Sequence, residues 1–214
     1  DVKPNERGGF DFTATTNLAS KTSTATKISL QVPGQHNVQN ALAVLAIIGV
    51  LGLSRKKAAQ ALGEFTGTGR RFELRGEVNE ISIFDDYAHH PTEIKATLSG
   101  ARDRFPQARI WAVWQPHTYS RTRTLFLDFA RAFKDADEVI VTEVYAAREP
   151  KQDFTSAEIV SAMPHFAAHY IKSLPEVTEY LLEHLQPGDV VLVLSAGDAD
   201  QISTDVLKGL KERQ

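Results

Sequence analysis

Between Asp85 and Pro91 the sequence reads DDYAHHP, two acids, a tyrosine and two histidines ahead of a proline. Groups of these types could hold a metal, move protons or cap a helix. Metal ligation by this stretch is disfavoured. Neighbouring side chains on an extended segment point to opposite faces, so His89 and His90 do not easily share one ion. The His-x-x-x-His spacing of a helical metal site is also missing. A cap ahead of Pro91, which suits the first position of a helix, explains one or two of these polar residues but not all of them.

A second stretch, QPHTYSRTR, places His117, Arg121 and Arg123 between an apolar run and a helical one. Arg121 could make a bidentate contact to a carboxylate or phosphate. Basic groups early in a helix oppose its dipole, which favours an anionic ligand there; a solvated first turn is the plainer alternative. EVYAAREP and SAGD add two further polar segments after apolar runs. The dinucleotide fingerprint is absent, since GTGRRF lacks a third glycine and precedes a strand. No G-x-x-x-x-G-K-[ST] occurs either, so phosphate chemistry needs help from outside this chain.

The elements that must carry these segments follow from periodicity. EISIF, ARIWAVW, EVIVTEV, AHYI and DVVLVLSAG read as strands. Helices are expected from Pro91 with Ile94, Leu98, Ala101 and Phe105 on one stripe, and over RTLFLDFARAFKD with Leu125, Phe129 and Phe133 inward. Three more are expected near Ser156 to Met163, from Pro175 to Leu185, and through Ile202, Val206 and Leu210. Apolar strands alternating with amphipathic helices predict an α/β fold, a Rossmann-like and mainly parallel sheet with helices on both faces. In such sheets ligands collect beyond the carboxyl ends of the strands. The four polar segments all fall there.

Ahead of this domain, GFDFTAT and KISLQV alternate as strands joined by a polar loop, a hairpin or sheet edge. Val38, Ala41, Leu42, Leu45 and Ile48 then follow helical spacing, and a second helix is expected from Arg55 to Glu64. The glycines of GTG at 67–69 mark the boundary, giving domains 1–68 and 69–214. The sequence is 42% hydrophobic and 24% charged with a formal charge of −3. That balance suits a globular core and gives no electrostatic reason to expect nucleic acid or an anionic membrane. The absence of cysteine excludes disulfides, thiolate nucleophiles and cysteine-ligated metals, and fits a cytoplasmic location. No apolar run is long enough for a membrane span, and no signal-peptide pattern opens the chain. A first residue of Asp1 rather than Met suggests missing upstream sequence.

PGQHNVQNALA, GRRFE, DDYAHHPTEI, QPHTYSRT and SAGD, in this order and spacing, closely resemble the bacterial Mur ligases, and most of all their alanine-adding branch. The resemblance implies the C-terminal portion of a three-domain, ATP- and Mg²⁺-dependent amide ligase of peptidoglycan synthesis, with residues 1–68 ending its ATP-binding central domain. Such ligases phosphorylate the carboxylate of UDP-N-acetylmuramate, and the amine of L-alanine displaces phosphate. It further implies ATP contacts at His36, Asn37, Asn40, Arg71 and Asp86, and Tyr87 and His89 at the reaction centre. The alanine carboxylate would meet His117, Thr118 and Arg121, although Thr118 stands where some members carry a second arginine. Ser195 and Asp198 would lie near the substrate cleft. The P-loop lysine, the Mg²⁺ ligands and the uridine contacts belong to parts of the family outside this chain. The chain alone is therefore expected to hold no metal and to lack ligase activity, and the missing N-terminal and central domains are its expected partners. Two other readings are a sister ligase that attaches a recycled tripeptide, and a non-catalytic α/β binding module.

Overall fold

The computed structural model describes residues 1–16 and 24–213. The chain divides into two compact units, Asp1–Gly67 and Thr68–Gln214. In the first, β1 (Val2–Pro4), β2 (Phe10–Thr16) and β3 (Thr24–Ser29) form an antiparallel sheet in that order. Phe10, Phe12 and Ala14 point to one face and are buried with Ile28 and Leu30 against Val38, Ala41 and Leu45 of α1 (Gln35–Val50). The ladder from Asp11↔Ser29 to Thr16↔Thr24 makes the expected strand pair antiparallel. The loop expected between these strands, residues 17–23, lies outside the described residues.

Two details differ from expectation. The strand expected over 27–32 stops at Ser29, because Pro33 offers no N–H and Gly34 (φ 88°) turns the chain into α1. Leu30 still donates to the Phe10 carbonyl at 2.9 Å and keeps its place in the core. β1 was not foreseen, since all three of its residues are exposed and carry no apolar alternation. Helix α2 (Arg55–Glu64) runs over the expected residues, capped by Ser54, whose hydroxyl accepts from the Lys57 N–H at 3.4 Å.

The second unit holds a six-stranded sheet. Its strands are β4 (Glu73–Val78), β5 (Ile81–Asp86), β6 (Ile110–Trp114), β7 (Glu138–Val141), β8 (Ala168–Tyr170) and β9 (Val190–Leu194), in the order β4-β5-β9-β6-β7-β8. Every pairing from β5 to β8 is parallel; β4 alone runs antiparallel, on the edge beside β5. All five residues of VVLVL are buried, so β9 is covered on both faces. One face packs Ala112, Trp114, Leu192 and Leu194 against α3 (Pro91–Arg104), the Phe129–Phe133 region and α6 (Ala157–Ala162). The other packs Trp111, Val113, Val191 and Val193 against α7 (Leu174–His184) and α8 (Asp200–Glu212). The period-two alternation of the strands thus divides the core into two layers.

The helix expected over RTLFLDFARAFKD is two, α4 (Tyr119–Thr124) and α5 (Phe126–Ala130), broken at Leu125 (φ −106°, ψ 23°). Beyond the break, Phe129 stacks on Trp114 with centroids 4.5 Å apart, and Phe133 lies 5.4 Å from the same ring. Packing on one large indole overrides helical continuity here. Strand β4 also escaped the sequence reading. Only Val78 of it is buried, and its register shifts between Leu74 and Gly76, so no alternation is visible in ELRGEV. No helix among the described residues is long and apolar enough to cross a membrane.

Candidate functional site

The parallel strands end in line. Asp86 pairs with Leu194, Leu194 with Trp114, and Trp114 with Val141, so β5, β9, β6 and β7 finish at one sheet edge. The four polar segments leave from that edge. The antiparallel β4 adds a fifth. Its first residue, Glu73, pairs with Asp85, so the residues just before it, Arg70 to Phe72, arrive at the same rim.

Arg70 and Phe72 have positive φ (54° and 49°), a conformation that costs side-chain-bearing residues about 1–3 kcal/mol each and needs outside support. Glu73 accepts the Arg70 N–H at 2.7 Å, and the Arg70 carbonyl accepts the Tyr87 N–H at 2.7 Å. Asp86 supplies the rest: one carboxylate oxygen accepts from the Phe72 N–H at 2.9 Å, the other from the Ala88 N–H at 2.8 Å. Asp86 is 5% exposed. Burial pushes its carboxyl above the ordinary aspartate value, with the two N–H groups and Arg71 pulling the other way. Any ribose contact by Asp86 would have to use the remaining lone pairs of oxygens already committed to the backbone.

The guanidiniums of Arg70 and Arg71 lie 5.3 and 5.8 Å from the centre of the exposed Tyr87 ring. Tyr87 meets the His89 ring edge-on at 5.2 Å, and His89 lies 6.1 Å from His117. Tyr145, from the segment after β7, stacks on His117 at 5.6 Å and 28°. Arg121 Nη1 stands 3.4 Å from His117 Nδ1. Five of the twelve residues singled out from sequence, Arg71, Tyr87, His89, His117 and Arg121, thus form one continuous chain of contacts. Burial, then Arg121 and His89, hold the His117 imidazole below its ordinary value, which favours its neutral form.

Thr118 has φ 68°, an outlying value for a β-branched residue. It is held by its N–H to the Tyr145 carbonyl at 2.9 Å, and by the reciprocal bond from the Tyr145 N–H to the Pro116 carbonyl at 2.8 Å. This isolated bridge, His117↔Tyr145, extends the β6–β7 pairing and sets the His117 ring against Tyr145. Helix α4 has only six residues, and Arg121 and Arg123 fall in its last turn, where cations suit the dipole. The expected dipole reason for an anion at this place therefore does not apply; the charge of Arg121 itself remains.

SAGD is organised by Gln115. Ser195, expected near the substrate cleft, is buried. Its hydroxyl donates to Gln115 Oε1 at 2.8 Å and accepts from the Gly197 N–H at 2.9 Å. Asp198 is exposed and accepts from Gln115 Nε2 at 2.7 Å. A Cβ on Gly197 would lie 2.4 Å from Gln115 Oε1 and 2.8 Å from Tyr145 Cγ, so this glycine permits a close approach. Arg70 ties the segment to the 70–72 turn, donating to the Ser195 carbonyl at 2.8 Å.

In the first unit, His36, Asn37 and Asn40 lie on the first turns of α1. Asn37 donates to the Pro33 carbonyl at 2.7 Å, and Asn40 to the Asn37 side chain at 3.3 Å. The His36 ring folds beside Gly34, where a Cβ would meet it at 2.6 Å. His36 and Asn40 are exposed.

The sequence profile described as "Mur ligase, glutamate ligase domain" matches residues 70–197. The chain belongs to the Mur ligase family. It is 45% identical over 184 residues to the UDP-N-acetylmuramate–L-alanine ligase of Alkaliphilus metalliredigens, covering 84% of this chain and 39% of that protein. The solved UDP-N-acetylmuramate-alanine ligase of Thermotoga maritima is similar with TM-score 0.74 and 32% identity, covering 88% of this chain and 41% of that one. A murein peptide ligase from Psychrobacter arcticus gives 0.67 and 30%, covering 94% and 42%. This Mur ligase chain thus spans about two fifths of the length of the relatives it matches.

Arg70, Gln115, Tyr145 and Glu93 complete the rim of the Mur ligase unit and escaped the sequence reading. Gln115 and Tyr145 stand inside the quoted segments but carry no charge to draw notice, and the reach of Arg70 depends on the unforeseen β4. No group of three or more His, Asp or Glu among the described residues could hold a metal ion. The described residues therefore do not by themselves assemble an all-protein Mg²⁺ site.

Proposed function

We propose that this chain is the C-terminal portion of an ATP-dependent ligase of peptidoglycan synthesis that joins L-alanine to UDP-N-acetylmuramate. The observation that carries this reading is the rim cluster of Arg121, His117, His89 and Tyr87. It pairs a fixed cation for an amino-acid carboxylate with imidazoles beside it. In the reaction, the muramoyl carboxylate takes the γ-phosphoryl group of ATP, because a free carboxylate is a poor electrophile. The alanine nitrogen then forms the C–N bond as the C–O bond to phosphate breaks. Arg121 binds the alanine carboxylate, with His117 held in line by Tyr145. Thr118 shapes this turn through its backbone and leaves Arg121 as the charged member of the clamp. Arg71 and Asp86 serve the nucleotide from this unit; His36, Asn37 and Asn40, with Asn40 toward the adenine, serve it from residues 1–68, the end of the ATP-binding domain. Ser195 and Asp198 act through Gln115 on the shape of the cleft.

This chemistry takes place in the cytoplasm, with the UDP-binding and P-loop portions supplied by the remainder of the enzyme. The test is ADP formation by the intact ligase with UDP-N-acetylmuramate and either L-alanine or the recycled tripeptide. Turnover that requires L-alanine supports the reading. A preference for the tripeptide transfers the chain to the murein peptide ligases, and no ADP with either leaves a binding module. The 214-residue chain alone is expected to form no ADP; substantial turnover by it would sink the fragment reading.

A further inference from the structure

The Nδ1 atoms of the two rim imidazoles face opposite kinds of partner. His89 Nδ1 lies 2.8 Å from the Tyr87 carbonyl oxygen. A carbonyl only accepts, so this nitrogen carries the ring proton and Nε2 keeps a lone pair. No group among the described residues hydrogen-bonds to that Nε2. His117 Nδ1 faces the Arg121 guanidinium at 3.4 Å. A guanidinium only donates, so here Nδ1 accepts and the proton sits on Nε2. One ring is thus set to take a proton and the other to donate a hydrogen bond.

Glu93 stands behind the first ring, with Oε2 at 3.6 Å from His89 Nδ1. The same oxygen accepts the backbone N–H groups of His89 at 3.0 Å and His90 at 3.2 Å, the capping box of α3. The carboxylate is therefore fixed where it stabilises an imidazolium. An α-amino acid whose carboxylate rests on Arg121 has its nitrogen only one carbon further on. The His89 ring lies 6.1 Å from the His117 ring that Arg121 faces.

We propose, resting on the ligase reading above, that His89 is the general base of the amide-forming step. Its Nε2 takes one proton from the ammonium group of the bound amino acid. The freed lone pair attacks the acyl-phosphate carbon and the C–O bond to phosphate breaks. Phosphate leaves with that electron pair and takes up the second proton the nitrogen sheds in becoming an amide. Glu93 is a positioning residue, holding the ring and balancing the imidazolium. His117 donates from Nε2 to the amino-acid carboxylate.

Two measurements test this. Long-range ¹H–¹⁵N correlation spectra of the 214-residue chain at neutral pH read the tautomer of each ring. A proton on Nδ1 of His89 and on Nε2 of His117 is the expected result, and His89 protonated at Nε2 overturns the proposal. In the intact ligase, His89→Asn keeps a donor for the Tyr87 carbonyl but removes the ring base. Loss of a general base costs about 10²–10⁴-fold. Hydroxylamine is uncharged at neutral pH and attacks acyl phosphates without a base. The ratio of amide to hydroxamate formation is therefore expected to fall at least about a hundredfold in His89→Asn. An equal loss with both nucleophiles, or none, overturns the base role. Absence of hydroxamate from the unaltered ligase, by contrast, removes the ligase reading itself.

Discussion

At the scale of single residues, the central group is Arg121, whose charge is held at the rim by α4 and steadied by His117. Charge-assisted hydrogen bonds contribute about 1.5–3 kcal/mol. Removing one should weaken binding by about ten- to a hundredfold, at 1.4 kcal/mol per tenfold. Arg121→Ala in the intact ligase is therefore expected to raise the KM for alanine by that factor. The KM for ATP should change by less than about twofold, since the proposed nucleotide contacts are other residues. Steady-state kinetics with each substrate varied in turn checks it, and an unchanged alanine KM removes the clamp. Arg121 and His117 were legible in sequence because charge and imidazole at short spacing are conspicuous. Their alignment was not. It depends on the bridge to Tyr145 and on a positive φ at Thr118, neither of which leaves a periodic mark.

Among the elements, the segment after β7 owes its shape to Glu143. Its carboxylate accepts the Val144 N–H at 2.9 Å, the Ser156 N–H at 3.2 Å, the Thr155 hydroxyl at 3.1 Å and the Tyr170 hydroxyl at 2.7 Å. Burial pushes its pKa up, but these donors win and hold it below the ordinary glutamate value. An acid with a depressed folded pKa adds stability above its unfolded pKa and loses it as pH falls through the folded one. Glu143→Gln should therefore lower stability at pH 7 by about 1–3 kcal/mol. That difference should shrink as pH falls below the ordinary glutamate range, where the native glutamate also gains a proton. Urea midpoints of both proteins across this range provide the check; a pH-independent difference contradicts the assignment. Asp85 and Asp86, whose carboxyls burial pushes upward, act in the opposite sense and favour the fold less as pH rises above the ordinary aspartate range. Helices such as α3 and α8 could be read from periodicity because each buries a regular stripe, and β6 and β9 from continuous apolar runs buried on both faces. Edge strand β4 and the break at Leu125 could not, since one buries a single residue and the other answers to Trp114.

For the whole molecule, the two units each enclose a core of their own, one around Phe12 and Leu45 and the other on both faces of β9. Between them run Thr66 to Gly69, which are mostly exposed and belong to no helix or strand. Limited proteolysis is expected to cut first at these residues and leave a stable fragment of about residues 70–213, because protease sites concentrate where backbone is exposed and unpaired. Mass spectrometry of the early products reads this; a first cut inside the six-stranded sheet contradicts it. The sequence marked this stretch through its glycines. It said nothing of the direction in which the second unit begins. That unit enters along its sheet against the run of its neighbours, so its opening residues and its working edge coincide. Arg70 and Arg71 are cargo of the sheet rather than of the tether. Under the proposed function, a nucleotide phosphate that draws on them engages the same compact unit as the proposed amino-acid contacts, so lengthening what lies before Gly69 is expected to leave the two recognitions coupled.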